Sequence, residues 1–245
     1  MSNIANMTHI ISTKAAFLLG LSILIGLAVL GYQLSDAAIS VKQYERSVSV
    51  KGLAEQEVLA DIVLWPIQFV AADNDLQALY SELERQAQLV QQFLKENGLA
   101  EDEITVTAPS INDRSAQQWG NDAQKFRYAA SQTVTVYSQQ VQLARQLQAK
   151  LSELGRQGIV INAGNYNAQT EYIYTNLNAI KPQMIERATR NAREVAEKFA
   201  KDSNSQLGKI KRASQGQFSI SARDKNNPQI KKVRVVSTVE YYLSD

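Results

Sequence analysis

The side chains capable of chemistry in this chain are carboxylates, lysines and tyrosines, because the usual nucleophiles and metal ligands are missing. The 245 residues contain no cysteine, and the single histidine is His9, ahead of the first apolar segment. Without Cys there are no disulfides, thiolate metal sites or Cys nucleophiles. Without a later His there is no Ser–His–Asp hydrolase. We therefore predict no catalytic residues, no cofactor-binding residues and no metal site, and we expect that the protein is not an enzyme.

The densest acidic cluster consists of Glu101, Asp102 and Glu103. Adjacent carboxylates can touch a cation, but a calcium loop alternates its ligands and places a Gly among them. The cluster lies between a predicted helix and a predicted strand, which is typical of a solvated turn. No glycine-rich phosphate-binding motif occurs, so the sequence indicates neither a bound cation nor a nucleotide.

Two basic patches lie near the C-terminus, each in a predicted strand. They consist of Lys209, Lys211 and Arg212, and of Lys231, Lys232 and Arg234. If these strands pair as a hairpin, the patches become neighbours that can meet an anionic partner such as lipid headgroups. The alternative, which we favour, is charge on exposed edge strands that discourages aggregation. The net charge of +2 is too small to indicate nucleic-acid binding.

Aromatic residues offer two further candidates for binding. Trp119 lies in a polar segment and is either a contact residue or a lid over the local core. Tyr166, Tyr172 and Tyr174 have like parity in an extended segment. A stacking platform for bases would interleave basic residues with the rings, and this segment does not. Packing across strands is the predicted role of these tyrosines.

The elements that must position these residues begin with an apolar segment. Residues 15–35 carry no charge, and as a helix they would span roughly 31 Å, close to the hydrocarbon thickness of a bilayer. The run is longer than a usual signal-peptide core, so an uncleaved anchor is predicted. In the alternative, Ser35 and Ala37 would serve a cleavage site. Lys14 favours a cytoplasmic N-terminus with the domain outside.

The chain is predicted to have four parts: a tail at 1–14, the anchor at 15–35, a tether at 36–44 and one domain at 45–243. Period-two alternation predicts strands at 46–53, 61–70, 104–108, 126–136, 210–220 and 230–243, with an extended stretch at 158–174. Helical spacing predicts helices at 76–97, 138–154 and 182–201. Residues 112–124 are predicted to be a loop. Pro66 places its strand at an edge or at a bulge.

In the last helix, Pro182 is predicted in the first turn. Its buried stripe is predicted to be Ile185, Ala188, Ala192, Val195, Ala196 and Phe199. Its outer face is predicted to hold the pairs Glu186–Arg190, Glu194–Lys198 and Glu197–Lys201. Strands dominate and helices are few, so the fold class is α+β, with helices packed on one side of mainly antiparallel sheets.

Several long segments are similar to a known family. SVSVKGLAEQEVLAD, FLKENGLAEDEITV, RYAASQTVTV and IERATRNAREVAEKFAKDSNSQLGKI occur in family order. The chain resembles the SIMPL-domain family, relatives of bacterial periplasmic immunogenic and oxidative-stress-defence proteins. VKGLAE, ADIVLWP, YTNLNAIKPQMI, ASQGQFSI and IKKVRVVSTVEYYL are similar to a membrane-anchored branch of it.

This resemblance implies an α+β fold of two lobes, an extracytoplasmic location and assembly into homo-oligomers, with no established catalytic residues. The expected function is a membrane-anchored binding or structural module that self-associates in the cell envelope and is linked to stress tolerance. Alternatives are a ring-forming conduit or a carboxylate-dependent enzyme. The expected partners are further copies, the membrane and envelope proteins. The expected location is the bacterial inner membrane, or the periplasm after signal cleavage.

Overall fold

The computed structural model describes residues 13–44, 46–116, 125–162 and 168–244. His9, Trp119 and Tyr166 lie outside these residues, as do most of the predicted tail and much of the predicted loop. The chain divides into two compact units. The first comprises Met1–Leu53, Arg187–Gly216 and Val236–Asp245, and the second comprises Ala54–Glu186 and Gln217–Val235.

Five helices and ten strands form the described fold. The helices are α1 Thr13–Tyr44, α2 Leu76–Glu96, α3 Val141–Ala149, α4 Ser152–Arg156 and α5 Leu177–Asp202. The strands are β1 Ser47–Leu59, β2 Ile62–Asp73, β3 Ile104–Val106, β4 Ser110–Asp113, β5 Tyr128–Ser138, β6 Val160–Ile161, β7 Glu171–Ile173, β8 Gln206–Gln215, β9 Ser219–Ala222 and β10 Ile230–Ser244. The fold is α+β, as predicted.

Helix α1 includes both the predicted anchor at 15–35 and the predicted tether at 36–44. This stretch, DAAISVKQY, contains neither Gly nor Pro. Nothing in it ends a helix, and its alanines and lysine favour one.

One sheet has the strand order β1-β10-β8, with β9 also pairing with β10. β10 is antiparallel to both β8 and β9. In the first unit, Val50, Val239 and Tyr241 of this sheet form a buried cluster with Ala192 and Ala196 of α5. Helix α5 therefore covers one face of the sheet in this unit.

The contact between α5 and this sheet depends on small residues. Along the helix every fourth residue is buried: Met184, Ala188, Ala192, Ala196 and Ala200. Under the helix lies Gly52 of β1. A Cβ added to Gly52 would overlap the Ala188 carbonyl oxygen and lie 2.5 Å from the backbone nitrogen of Ala192. The backbones of α5 and β1 approach closely because neither carries a large side chain at the crossing.

The predicted stripe of α5 is correct for Ala188, Ala192 and Ala196 but wrong for Val195 and Phe199. Val195 is 38% exposed and Phe199 is 55% exposed. All these residues fall within one broad helical sector, which is why their spacing suggested one buried face. The sheet covers only the row of alanines. The larger side chains of Val195 and Phe199 therefore remain exposed beside that row.

Helix α5 also begins earlier than predicted, at Leu177, which places Pro182 beyond the first turn. The Asp61 carboxylate accepts hydrogen bonds from the backbone N–H groups of Thr175 and Asn176, at 2.9 and 3.1 Å, and from the Thr175 hydroxyl. These hydrogen bonds hold the backbone just before Leu177. They therefore stabilise a helix that begins before Pro182.

For the predicted pairs Glu194–Lys198 and Glu197–Lys201, the outer face of α5 differs from the prediction. Glu197 accepts a hydrogen bond from Arg193 at 3.1 Å rather than pairing with Lys201. No ion pair between Glu194 and Lys198 occurs among the described residues of this helix. These side chains are exposed, where alternative pairs differ little in free energy.

The second unit contains a larger sheet with the order β3-β5-β2-β6, in which β4 also pairs with β5 and β7 with β2. All these pairs are antiparallel. The buried face of β2 carries Val63, Trp65, Ile67 and Phe69, which join the core with α2, α3 and α4. Pro66 lies opposite Thr135 of β5. The opposite edge of β2 pairs with β6 only at residues 69–70 and with β7 only at residues 62–64. Pro66 falls between these stretches, so its missing N–H removes no hydrogen bond from that edge.

The prediction of α2 is confirmed. Asp75 is its N-cap, with a carboxylate oxygen 2.8 Å from the Ala78 nitrogen, and Leu79, Leu83, Val90 and Leu94 are buried. Gly98, at φ +101°, ends the segment, because L residues rarely adopt that conformation.

Two boundaries in the second unit differ from the predictions. The predicted loop at 112–124 begins within β4, which follows the edge of β5. The helix predicted from residue 138 starts instead at Val141, and Ser138 is the last residue of β5. Its hydroxyl donates to Glu103 at 2.7 Å and accepts from the Gln140 N–H at 2.9 Å. Ser138 thus stabilises the turn between strand and helix.

Candidate interaction surfaces

The most exposed apolar surface belongs to α1. Residues 17–37 are long and apolar enough to cross a membrane, and no part of this span is buried against the described chain. Leaving such a helix in water would cost about 25 cal/mol for each Å² of apolar surface. The length and apolar composition of the N-terminal helix are those of a membrane anchor or a signal sequence.

The first basic patch lies on β8, and one of its members is neutralised within the first unit. Lys211 lies 3.3 Å from the Glu240 carboxylate of β10 and 5.6 Å from the centre of the Tyr242 ring. The hydroxyl of Ser47 donates to the same carboxylate. The hydrogen bonds from Ser47 and Lys211 together hold the pKa of Glu240 below its ordinary value.

The second basic patch lies on β10 within the second unit and is also paired. Lys232 and Arg234 share the Glu55 carboxylate of β1, at 3.2 and 3.6 Å. Partial burial lowers the pKa of Lys231, and the nearby charge of Glu171 opposes this shift. The Glu55 carboxylate of β1 therefore neutralises part of this patch, as expected for charge on exposed strands.

The register of β8 and β10 does not place the two basic patches opposite each other. β8 pairs with the second half of β10, where Arg212 lies opposite Glu240. The first half of β10, which carries Lys232, pairs instead with β9. A single combined basic site is thus not supported.

Formal charge is nevertheless distributed unevenly between the two units. The first unit contains 12 Lys and Arg against 7 Asp and Glu, and the second contains 14 against 17. The charges are therefore +5 and −3, although the whole chain carries only +2. The unit that contains the apolar helix is the basic one.

An exposed apolar surface on the first unit was not predicted from the sequence. Val195 and Phe199 of α5 are exposed, and so is Ile210 of β8, at 51%. Ile210 lies opposite Tyr241, whose side chain is buried on the face that α5 covers. Cross-strand partners share a face, so these three side chains lie on the same side of the sheet. We call them the apolar flank.

The acidic cluster has a structural role. Glu101 pairs with Lys95 at 2.8 Å, and Glu103 accepts hydrogen bonds from the Ala100 backbone and from Ser138. The cluster forms a short 3-10 turn between α2 and β3, as predicted. Across the part of the chain that the structure describes, no group of three or more His, Asp or Glu is placed to hold a metal.

The tyrosines of the extended segment that can be placed also have structural roles. Tyr172 is buried opposite Val63 and donates to Gln148 at 3.1 Å, and burial raises its pKa. The Tyr174 hydroxyl donates to the Asn176 carbonyl at 3.1 Å. Packing and local hydrogen bonds account for both side chains.

Comparison with protein families matches residues 48–241 to the SIMPL family, described as a protein of unknown function (DUF541). The match covers most of the chain and both compact units. The protein belongs to the SIMPL family, which confirms the resemblance. A comparison with curated proteins gave no match.

Proposed function

We propose that this SIMPL-family protein is a single-pass, membrane-anchored module that associates with further copies of itself on the outer face of the bacterial inner membrane. The observation that carries the proposal is the uncovered apolar span at residues 17–37. A lipid bilayer is the environment that such a helix requires. The module acts by binding and has no catalytic turnover of its own.

Two features favour an anchor that stays attached. Helix α1 runs unbroken past Ser35 and Ala37, the small residues that a cleavage site would use. The unit that contains α1 is basic, which suits a position beside anionic headgroups.

We expect the mature chain to retain residues 15–34. N-terminal sequencing of the protein purified from membranes is the direct measurement. A mature chain beginning at Ala38 would show that the helix is a signal sequence and would overturn the anchor.

Self-association is proposed to use the apolar flank. Tethering holds copies in two dimensions and raises their local concentration, so a weak contact is enough. Pairing through the β8 edge is less favourable. Two antiparallel copies of β8 would bring Lys209, Lys211 and Arg212 of one copy close to those of the other, and like charges across strands are destabilising.

The contact can be tested on the full chain in detergent micelles by light scattering at micromolar concentration. We expect more than one copy per particle for the native protein, and a shift towards monomer for Phe199→Glu. The matched control is Tyr80→Glu on α2, which also replaces a half-exposed aromatic residue, 45% exposed, on a helix. A strictly monomeric native protein, or equal effects of the two variants, would count against the flank as the interface.

A further inference from the structure

At one end of the first unit, β1 and β8 begin and β10 and α5 end. The Arg46 carbonyl, just before β1, accepts a hydrogen bond from the Leu243 N–H, and Leu243 lies opposite Leu207 of β8. The Arg46 guanidinium donates to the Ser205 hydroxyl at 3.3 Å, and the Ser205 N–H donates to the Ala200 carbonyl in the last turn of α5. We call this end of the unit the proximal end.

The chain between the apolar span and the proximal end is short. The span ends at Ala37 and α1 ends at Tyr44, a rise of roughly 10 Å along the helix. From Tyr44 to Ser47, the first residue of β1, an extended chain reaches about 10 Å. The headgroup layer extends about 5–7 Å beyond the hydrocarbon. With α1 as the anchor, the start of β1 therefore lies within roughly 15 Å of the headgroup surface.

The chain around the proximal end is basic. Residues 197–212, which include the last turn of α5 and the first half of β8, contain five Lys or Arg and two Asp or Glu. One of the two acids, Glu197, already pairs with Arg193. Three of the cations are exposed and make no ion pair among the described residues: Lys198, Lys201 and Lys209. We call these three the proximal lysines.

The proximal lysines lie close to this end of the unit. Lys198 and Lys201 fall in the last part of α5, which ends at Asp202, so that they lie within about 6 Å of its end along the axis. Lys209 is the fourth residue of β8 and lies about 10 Å from its start. A charged surface in contact with the proximal end would therefore have all three lysines within roughly one Debye length, about 10 Å.

We infer that the proximal end docks on anionic phospholipid headgroups of the bilayer that holds α1, with the proximal lysines as its contacts. This inference rests on the proposed anchor. A lysine ammonium is a compact cation that binds phosphate as a point charge, and an anionic leaflet attracts basic residues beside a membrane-spanning helix. Docking holds the apolar flank of every copy at the same height above the membrane, which favours contact between copies.

The test uses the full chain in lipid nanodiscs with one fluorescent label. The chain contains no cysteine, so Gln206→Cys, at the exposed first residue of β8, gives a single labelling site at the proximal end. The discs contain phosphatidylcholine, alone or with about one third phosphatidylglycerol, and a quencher attached to some of the phosphatidylcholine headgroups. We expect about twofold or more stronger quenching in the anionic discs, and its loss at about 1 M salt, where the Debye length is about 3 Å.

Two triple variants identify the residues that dock. The first neutralises the proximal lysines together: Lys198→Gln, Lys201→Gln and Lys209→Gln. Its quenching in anionic discs should fall to the level of the zwitterionic discs. The matched control removes the same formal charge from three exposed lysines of the second unit: Lys150→Gln, Lys181→Gln and Lys225→Gln. The control should keep the native quenching, and both variants should fold because exposed substitutions change stability little.

Equal quenching in the two kinds of disc would overturn docking on lipid and favour an acidic protein as the partner. Equal effects of the two triple variants would overturn the role of the proximal lysines. A chain that does not enter the discs would overturn the proposed anchor, and docking with it, so the two failures are distinguishable. With one copy in each disc, none of these results depends on self-association.

Discussion

Gly52→Ala is expected to lower the free energy of unfolding by about 3 kcal/mol or more, at the upper end of the range for overpacked sites. The added methyl group would meet the backbone of α5 at Ala188 and Ala192 rather than a movable side chain. The helix would have to move away from the sheet, and the contacts of the buried alanine row would weaken along its length. Urea titration of the full chain, followed by far-UV circular dichroism, measures the loss.

The control for this prediction is Gly155→Ala. Gly155 lies in α4, and an added Cβ there has no heavy atom within 4 Å. The same substitution should therefore stabilise by about 0.5–1 kcal/mol, because Ala loses less backbone freedom than Gly in a helix. If the two variants have the same stability, the close approach of α5 to β1 is wrong.

Ala192→Asp is expected to destabilise the first unit by about 4 kcal/mol or more, whereas Val195→Asp should change stability by less than about 1 kcal/mol. Ala192 is fully buried in the cluster with Val50, Val239 and Tyr241. A carboxylate there would lose its hydration without gaining a partner. At the 38% exposed Val195 the same carboxylate stays in water.

Both variants should be compared with the native chain in denaturant titrations at equal protein concentration, because association also contributes to apparent stability. The reverse order, with Val195→Asp the more damaging, would mean that α5 presents its larger residues to the sheet. Since Val195 belongs to the apolar flank, its variant should also lower the mass seen by light scattering while remaining folded.

Helices and strands were predicted correctly from the sequence where a single local constraint determines the structure. Helical spacing predicted α2, and its cap at Asp75, its apolar face with Leu79, Leu83, Val90 and Leu94, and its terminator at Gly98 are all local features. The strand at 230–243 was predicted from alternation alone, and Val233, Val235, Val239 and Tyr241, which alternation places on one face, are buried. These elements needed no knowledge of their partners.

The errors occurred where a distant residue decides the outcome. Asp61 stabilises the start of α5 from more than 100 positions away, so Pro182 was assigned to the wrong turn. No local window contains that information.

By itself, the sequence determined the N-terminal apolar segment, the α+β class, the membership of the SIMPL family and the absence of cysteine chemistry. These properties depend on composition, period and motif order, which are readable without coordinates. Only the tertiary structure decided which side of α5 is buried and which carboxylates pair with the basic residues of the last strands. The reason is that burial and pairing depend on what the rest of the chain brings to a residue. Gly52, for example, packs against the backbone of a helix that lies more than 120 positions further along the chain.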